Sequence, residues 1–240
     1  MASPPATFQQ NSNWESNMAK AAFDYTPKSL ADIVFCDDLN ERKITDIING
    51  YTAFPNADVS AILLYGPPGT GKSTLAAMLP DLIETTLGGP TGWHRYERIY
   101  APKNDAPLIE SLARTAETIP FGHYQYIVLD ELDELTPRAM DGLKSIMAFR
   151  TAVFIFATNR VHKIDDRVKD RSIMVDFRAA SPERWLPFAR RVMADYGVPD
   201  ITDAALVQVV AGQNGSARRI TNILINFANK VRVKRGLQTL

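Results

Sequence analysis

The sequence holds one cysteine, Cys36, in 240 residues. A single thiol excludes an intrachain disulfide and any zinc site built from cysteines, and it suits a reducing compartment. Histidine is scarce too. His94, His123 and His162 stand at no metal-ligand spacing, and each reads as a surface or packing residue. No apolar run reaches the roughly 18 residues of a membrane span. The polar stretch from Met1 to Asn17 lacks the apolar core of a signal peptide, so no membrane is expected as a partner. Neither sign of charge is in excess, with 27 Lys and Arg against 27 Asp and Glu. That balance excludes a histone-like polycation and a protein dominated by an acidic tail. Trp14, Trp93 and Trp185 form no recognisable stacking platform.

What is present is an ordinary globular composition, 45% hydrophobic and 22% charged, enough for one large domain or two modest ones. Charge is uneven along the chain. Residues 160–240 hold 15 basic and 8 acidic residues, and the rest carries the opposite surplus. Solvated helix faces account for this as readily as a basic surface near phosphates or nucleic acid.

Residues 1–22 are rich in Ser, Pro, Asn and Gln and are expected to be disordered. From Ala61 onward, short apolar runs alternate with helical stretches. Strands are predicted at Ala61-Ile62-Leu63-Leu64-Tyr65, more weakly at Arg98-Ile99-Tyr100-Ala101, and at 126–129, 152–157 and 173–177. Helices are predicted from Lys72 to an end or kink near Pro80, over 106–117, and over 137–149 with Met140, Leu143, Ile146 and Met147 on one face. The alternation predicts an α/β fold with a parallel sheet. After Phe177 the strand signals cease. Helices are predicted over 181–196 behind a Ser181-Pro182 start, over 203–210 and over 216–235. The chain is thus expected to divide into an α/β domain over 23–179 and a small all-helical domain over 180–240.

Gly66-Pro67-Pro68-Gly69-Thr70-Gly71-Lys72-Ser73 matches the phosphate-loop pattern G-x-x-x-x-G-K-[ST] in full. Glycines let backbone N–H groups wrap a phosphate chain without Cβ clashes, and the following helix aims its N-terminus at the anion. Lys72 is expected on the β- and γ-phosphates and the Ser73 hydroxyl on Mg²⁺, with Thr74 beside it in the nucleotide site. Ile127-Val128-Leu129-Asp130-Glu131 supplies the complementary pattern, an apolar strand ending in two carboxylates. Asp130 is expected to hold Mg²⁺ through water and Glu131 to polarise the attacking water. Asp133 and Glu134 read as solvated, with tuning of the metal as the other reading. Asn159 follows the strand that ends at Ala157, at the sheet edge where ligands bind. It would orient the lytic water or touch the γ-phosphate.

The ordered set of residues 66–73, Leu129-Asp130-Glu131, Ala157-Thr158-Asn159, Arg171 before a strand, and Gly215-Ser216-Ala217-Arg218-Arg219 resembles AAA+ ATPases. Within them it resembles the clamp-loader branch of replication factor C small subunits and their phage relatives, over roughly residues 23–235. Residues 25–34 are similar to that branch's N-terminal motif along the adenine pocket. Residues 215–222 are similar to its sensor-2 helix, and Val168-Lys169-Asp170-Arg171-Ser172 falls where it carries Ser-Arg-Cys.

The resemblance implies ATP and Mg²⁺ as cofactors, Asn159 as sensor 1, and Arg218 as sensor 2 on a helical lid. It also implies Arg171 as an arginine finger acting on a neighbouring subunit, with Arg167 the competing candidate. It implies ATP hydrolysis coupled to assembly on DNA in replication. The expected partners are other subunits in a homo- or hetero-oligomer, DNA, and a sliding clamp or another replication protein. The place of action is the cytoplasm, or the host cytoplasm for a phage or mobile-element protein. No length remains after residue 235 for the branch's helical collar, so a ring is expected to rest on contacts between ATPase domains or on a partner. A regulator of DNA transposition or remodelling and an ATP-gated assembly scaffold stay open as alternatives.

Overall fold

The structure, a computed structural model, describes residues 23–56 and 58–240. The disorder expected of residues 1–22 lies outside the described residues. The chain runs α1 (Asp38–Ile48), β1 (Ala61–Tyr65), α2 (Lys72–Leu87), β2 (His94–Arg98), α3 (Ala106–Glu117), β3 (Gln125–Asp130), α4 (Pro137–Ile146), β4 (Ala152–Thr158), α5 (Asp166–Asp170), β5 (Ser172–Asp176), α6 (Leu186–Asp195), α7 (Asp203–Ala211) and α8 (Ala217–Lys234).

The five strands form one parallel sheet in the order β2-β3-β4-β1-β5. Alternation along each strand sorts side chains to two faces. Ala61, Leu63, Ile127, Leu129, Phe154 and Phe156 pack with α3, α4 and α5. Ile62, Leu64, Tyr126, Val128, Val153 and Ile155 pack with α1 and α2 on the other side. Burial on both faces is why β1, β3 and β4 read as continuous apolar runs. A third apolar core, built on Trp185, Val192, Tyr196, Leu206, Ile220 and Leu224, belongs to α6–α8 and the turn before them.

Several expectations are corrected. The second strand is His94–Arg98, not 98–101. It is an edge strand of polar, half-exposed residues, so hydrophobicity marks it poorly. Ile99 extends its pairing by one backbone bond to Asp130. Helix α2 does not end at Pro80. One missing N–H is outweighed by the burial of Leu75, Ala76, Leu79 and Ile83, and the helix stops at Gly88, whose φ of 76° suits glycine.

The stretch after Ser181 opens as a 3-10 turn, Pro182–Trp185, before α6. Pro187 has no N–H to give the Glu183 carbonyl, which accepts from Leu186 instead. Helix α1, capped by Asp37 accepting the Asn40 N–H, was not among the expected elements.

The parallel register fixes what lies at each end of the sheet. Tyr65, Thr158 and Asp176 mark the carboxyl end, and the phosphate loop leaves β1 there. Ala61 and Ser172 mark the opposite end, where Arg171 accepts backbone bonds from Ser60 and Ala61.

Candidate functional site

A cavity of about 760 Å³ opens at the carboxyl end of the sheet. Pro68 through Thr74, Asp130, Glu131 and Asn159 line it from the α/β layers, and Arg218, Thr221, Asn222 and Ile225 line it from α8. Tyr25, Thr26, Pro27, Asp32, Ile33 and Val34 close a further side. This N-terminal segment is tied to the helices, with Tyr25 donating to Asp195 at 3.0 Å and Arg191 pairing with Asp32 at 2.6 Å.

The loop can take its shape because Gly66, Gly69 and Gly71 have φ of 147°, 83° and 104°. A Cβ on Gly66 would stand 2.6 Å from the backbone of Phe177. Gly71 is the N-cap of the 16-residue α2 and offers no side-chain cap, so the first N–H groups of α2 are left for a ligand. Lys72 is 5% exposed. Its ammonium donates to the carbonyls of Gly66 at 2.8 Å and Pro67 at 2.7 Å. Burial pushes its pKa down to about 8, against the pull of Asp130, Glu131 and Asp133. Gly66 and Pro67 thus face the lysine rather than the cavity wall.

Ser73 donates to Asp130 Oδ1 at 3.0 Å, and the Glu131 N–H donates to the same oxygen at 3.0 Å. Tyr96 on β2 donates to Asp130 Oδ2 at 2.9 Å. Burial and this carboxylate push the tyrosine's pKa up. A hydroxyl and a carboxylate held together form an all-oxygen pair of the kind Mg²⁺ takes alongside phosphate oxygens, so Ser73 and Asp130 fit that ion.

Glu131 has left-handed backbone, φ 59°, which turns the chain out of β3 and into the cavity. The Asn159 amide donates to Glu131 Oε2 at 2.9 Å, and Arg98 stands 3.6 Å from Oε1. Arg98 and Tyr96 are site residues that sequence reasoning missed. Their only signal was a polar alternation before Ile99.

The reading of Asp133 as solvated is corrected. Its side chain is 0% exposed and accepts from Thr158 Oγ1 at 2.6 Å, the Asn159 N–H at 3.2 Å and Arg160 Nε at 2.6 Å. Glu134 is half-exposed and pairs with Arg160. Arg171 is not brought to the cavity. It lines an open depression with Asp141, Lys144, Ser145 and Arg167, and donates to the Lys144 carbonyl at 3.2 Å.

His94 lies near Asp81, and His123 bonds Glu84. Among the described residues no group of His, Cys, Asp and Glu could hold a metal by itself. Among them, too, no helix is long and apolar enough to cross a membrane.

Residues 62–178 match the model of the ATPase family associated with various cellular activities (AAA). With its phosphate loop and its sheet order, the chain belongs to that family. Over most of its length it is also a distant homologue of replication factor C small subunits. It is 28% identical to replication factor C small subunit 2 of Pyrobaculum arsenaticum over 211 residues, covering 83% of this chain and 60% of that protein. It is 27% identical to the replication factor C small subunit of Aeropyrum pernix over 220 residues, covering 87% and 63%. The chain therefore spans roughly three fifths of these curated relatives. Its fold is similar to the RuvB Holliday junction branch migration motor of Thermotoga maritima, with TM-score 0.62 at 18% identity, covering 90% of this chain and 69% of that one.

Proposed function

We propose that this chain binds ATP with Mg²⁺ in the cavity described above, hydrolyses it, and couples the cycle to clamp-loader-like assembly on DNA in replication. The observation that carries this reading is the double convergence, Ser73 on Asp130 and Asn159 on Glu131, beside a glycine loop at a helix N-terminus.

Gly69 through Thr74 hold the phosphates through backbone N–H groups, Gly66 to Pro68 shape the turn that precedes them, and Lys72 leaves the Gly66 and Pro67 carbonyls for the β- and γ-phosphates. Ser73 and Asp130 would hold Mg²⁺, which neutralises charge on the phosphate oxygens when bound. Glu131 polarises the attacking water, and Asn159 fixes that carboxylate and the water beside it. Arg218 reaches the phosphates from a lid formed by residues 180–240, which closes on the α/β domain of residues 23–179. A backbone bond of 2.8 Å from Ala217 to the Gly69 carbonyl supports direct contact between the two.

Arg171 acts on the ATP of a neighbouring subunit. Its position supports this, because the five-residue length of β5 separates it from the carboxyl end of the sheet, about 16 Å at 3.3 Å per residue. The working unit is therefore an oligomer in the cytoplasm. The stacked pair Trp93 and Phe121, ring centroids 4.3 Å apart, lies with the 94% exposed Ile119 at the end of the sheet away from the cavity. That apolar patch supports a protein partner, for which a sliding clamp is the first candidate.

The test is ATP turnover measured with and without DNA and a sliding clamp. Wild type should turn over ATP faster with DNA, and faster again with the clamp. Glu131→Gln should bind ATP and fail to hydrolyse it. Wild-type turnover by Glu131→Gln removes the assigned role of that carboxylate. DNA stimulation indifferent to the clamp favours a transposition or remodelling regulator. ATP-dependent filaments on DNA with negligible turnover favour an assembly scaffold.

A further inference from the structure

We propose that Asp133 is a positioning residue for hydrolysis, holding Asn159 in the place from which it fixes Glu131; this rests on the reading of Glu131 as the carboxylate that polarises water. Asp133 sits on the 3-10 turn Leu132–Glu134 that begins at Glu131. All three of its side-chain donors, Thr158 Oγ1, the Asn159 N–H and Arg160 Nε, come from the carboxyl end of β4. The sheet does not make this connection. The β3–β4 ladder stops at Leu129 opposite Phe156, three residues short of Asn159. Beyond that point Thr158 pairs with Tyr65 of β1, on the side away from β3.

The alignment of Asn159 with Glu131 thus depends on Asp133. A fully buried carboxylate is costly unless it is bonded and paired, so the side chain has little freedom to let go of its three donors. Burial alone would raise its pKa, but the bonds from Thr158, Arg160 and Asn159 outweigh burial and lower it. Asp133 does not itself line the cavity; it bonds the lining residues Thr158 and Asn159, and its bond to the Asn159 N–H is the direct route from it to Glu131.

The experiment compares Asp133→Asn, Asn159→Ala and the double variant for kcat, KM and affinity for a fluorescent ATP analogue. Asp133→Asn keeps one oxygen for Thr158 and the Asn159 N–H but turns an NH₂ toward Arg160. At about pH 6.5, where Lys72 stays an ammonium, it should lower kcat by about 10- to 100-fold, as misplacement of a catalytic group does, with KM and analogue affinity changing far less. The double variant should be no slower than Asn159→Ala, because one residue acts through the other. Thr158→Val should show a smaller loss with the same non-additivity, and it serves if Asp133→Asn unfolds.

A readout independent of turnover is the NMR signal of the Asn159 side-chain amide. In Asp133→Asn it should leave its wild-type position and approach the one it has in Glu131→Ala. Wild-type kcat in Asp133→Asn, additive losses, or an unmoved amide signal would overturn the proposal. If wild type itself does not hydrolyse ATP, the reading of Glu131 fails, and the amide signal still decides whether Asp133 positions Asn159.

Discussion

The ammonium of Lys72 bonds the carbonyl of Gly66 at 2.8 Å, six residues back along the same loop. The loop is held in shape by the cation that would otherwise meet a phosphate. Burial leaves that cation with a pKa of about 8, against an ordinary 10.5. A bound polyphosphate raises it again, since an opposite charge favours the ammonium. Between pH 8 and that higher value the complex holds more protons than the free protein, so ATP affinity should fall as pH rises through this window. Calorimetry at pH 8.5 in buffers of different ionisation enthalpy should show proton uptake on binding, and Lys72→Ala should abolish it. Stability follows the same linkage. The unfolded chain holds more protons between pH 8 and 10.5, so the penalty from Lys72 is full below pH 8 and lifts as pH rises.

Gly66→Ala should destabilise the fold and weaken nucleotide binding together. Its φ of 147° and the Phe177 backbone 2.6 Å from an added Cβ leave no relaxed position for a methyl group. The expected cost is about 1–3 kcal/mol, read as a lower urea midpoint with an unchanged m-value. Gly71→Ala is the comparison. At φ 104° it carries the same backbone strain but has open space around its Cβ, so its loss should be smaller. Equal losses would show that the close approach of the Phe177 backbone to the loop contributes nothing.

The glycine loop and the Asp130-Glu131 pair were readable from sequence because their chemistry is local. A turn of glycines between an apolar strand and a helix specifies itself over eight residues. Asn159 was readable by position alone, two residues past an apolar run. Tyr96 and Arg98 were not, because they reach the site only through the pairing of β2 with β3, which places Arg98 opposite Asp130. Asp133 was misread for a related reason. An acidic run after a strand has the composition of a solvated turn, and its three donors arrive from another strand 25 to 27 residues away. Pro80 misled because propensity competes with packing, and the buried face of α2 prevails.

The basic surplus of residues 160–240 is smaller in effect than in count. Arg184, Arg190, Arg191 and Arg235 pair with Asp38, Asp203, Asp32 and Asp200. Among the described residues Arg219, Lys230 and Lys234 have no carboxylate within 4.0 Å. DNA affinity should therefore show a shallow salt slope, about −0.9 per phosphate neutralised on duplex. Lys230→Ala and Lys234→Ala should each reduce that slope by about one if they contact phosphate. No binding to duplex at low salt with an ATP analogue present would remove the nucleic-acid reading.

Arg171 offers the most direct test of assembly. An arginine finger acts only where charge develops on the transferring phosphoryl group, and in other phosphate-loop enzymes it is worth roughly 10³–10⁵ in rate. Arg171 lies at the amino end of β5, with its guanidinium against the Lys144 carbonyl and no path to its own phosphate loop. Arg171→Ala should therefore bind ATP normally and hydrolyse it poorly. Glu131→Gln should fail for the opposite reason, with a sound finger and an inert water site. Mixing the two variants creates interfaces in which an intact Glu131 faces an intact Arg171, so part of the turnover should return. The recovered rate should peak near equal proportions and vanish when dilution dissociates the oligomer. If the variants co-assemble and the mixture stays inactive, the finger is not Arg171. Arg167 shares the same depression and becomes the next candidate, tested by the same mixing with Arg167→Ala.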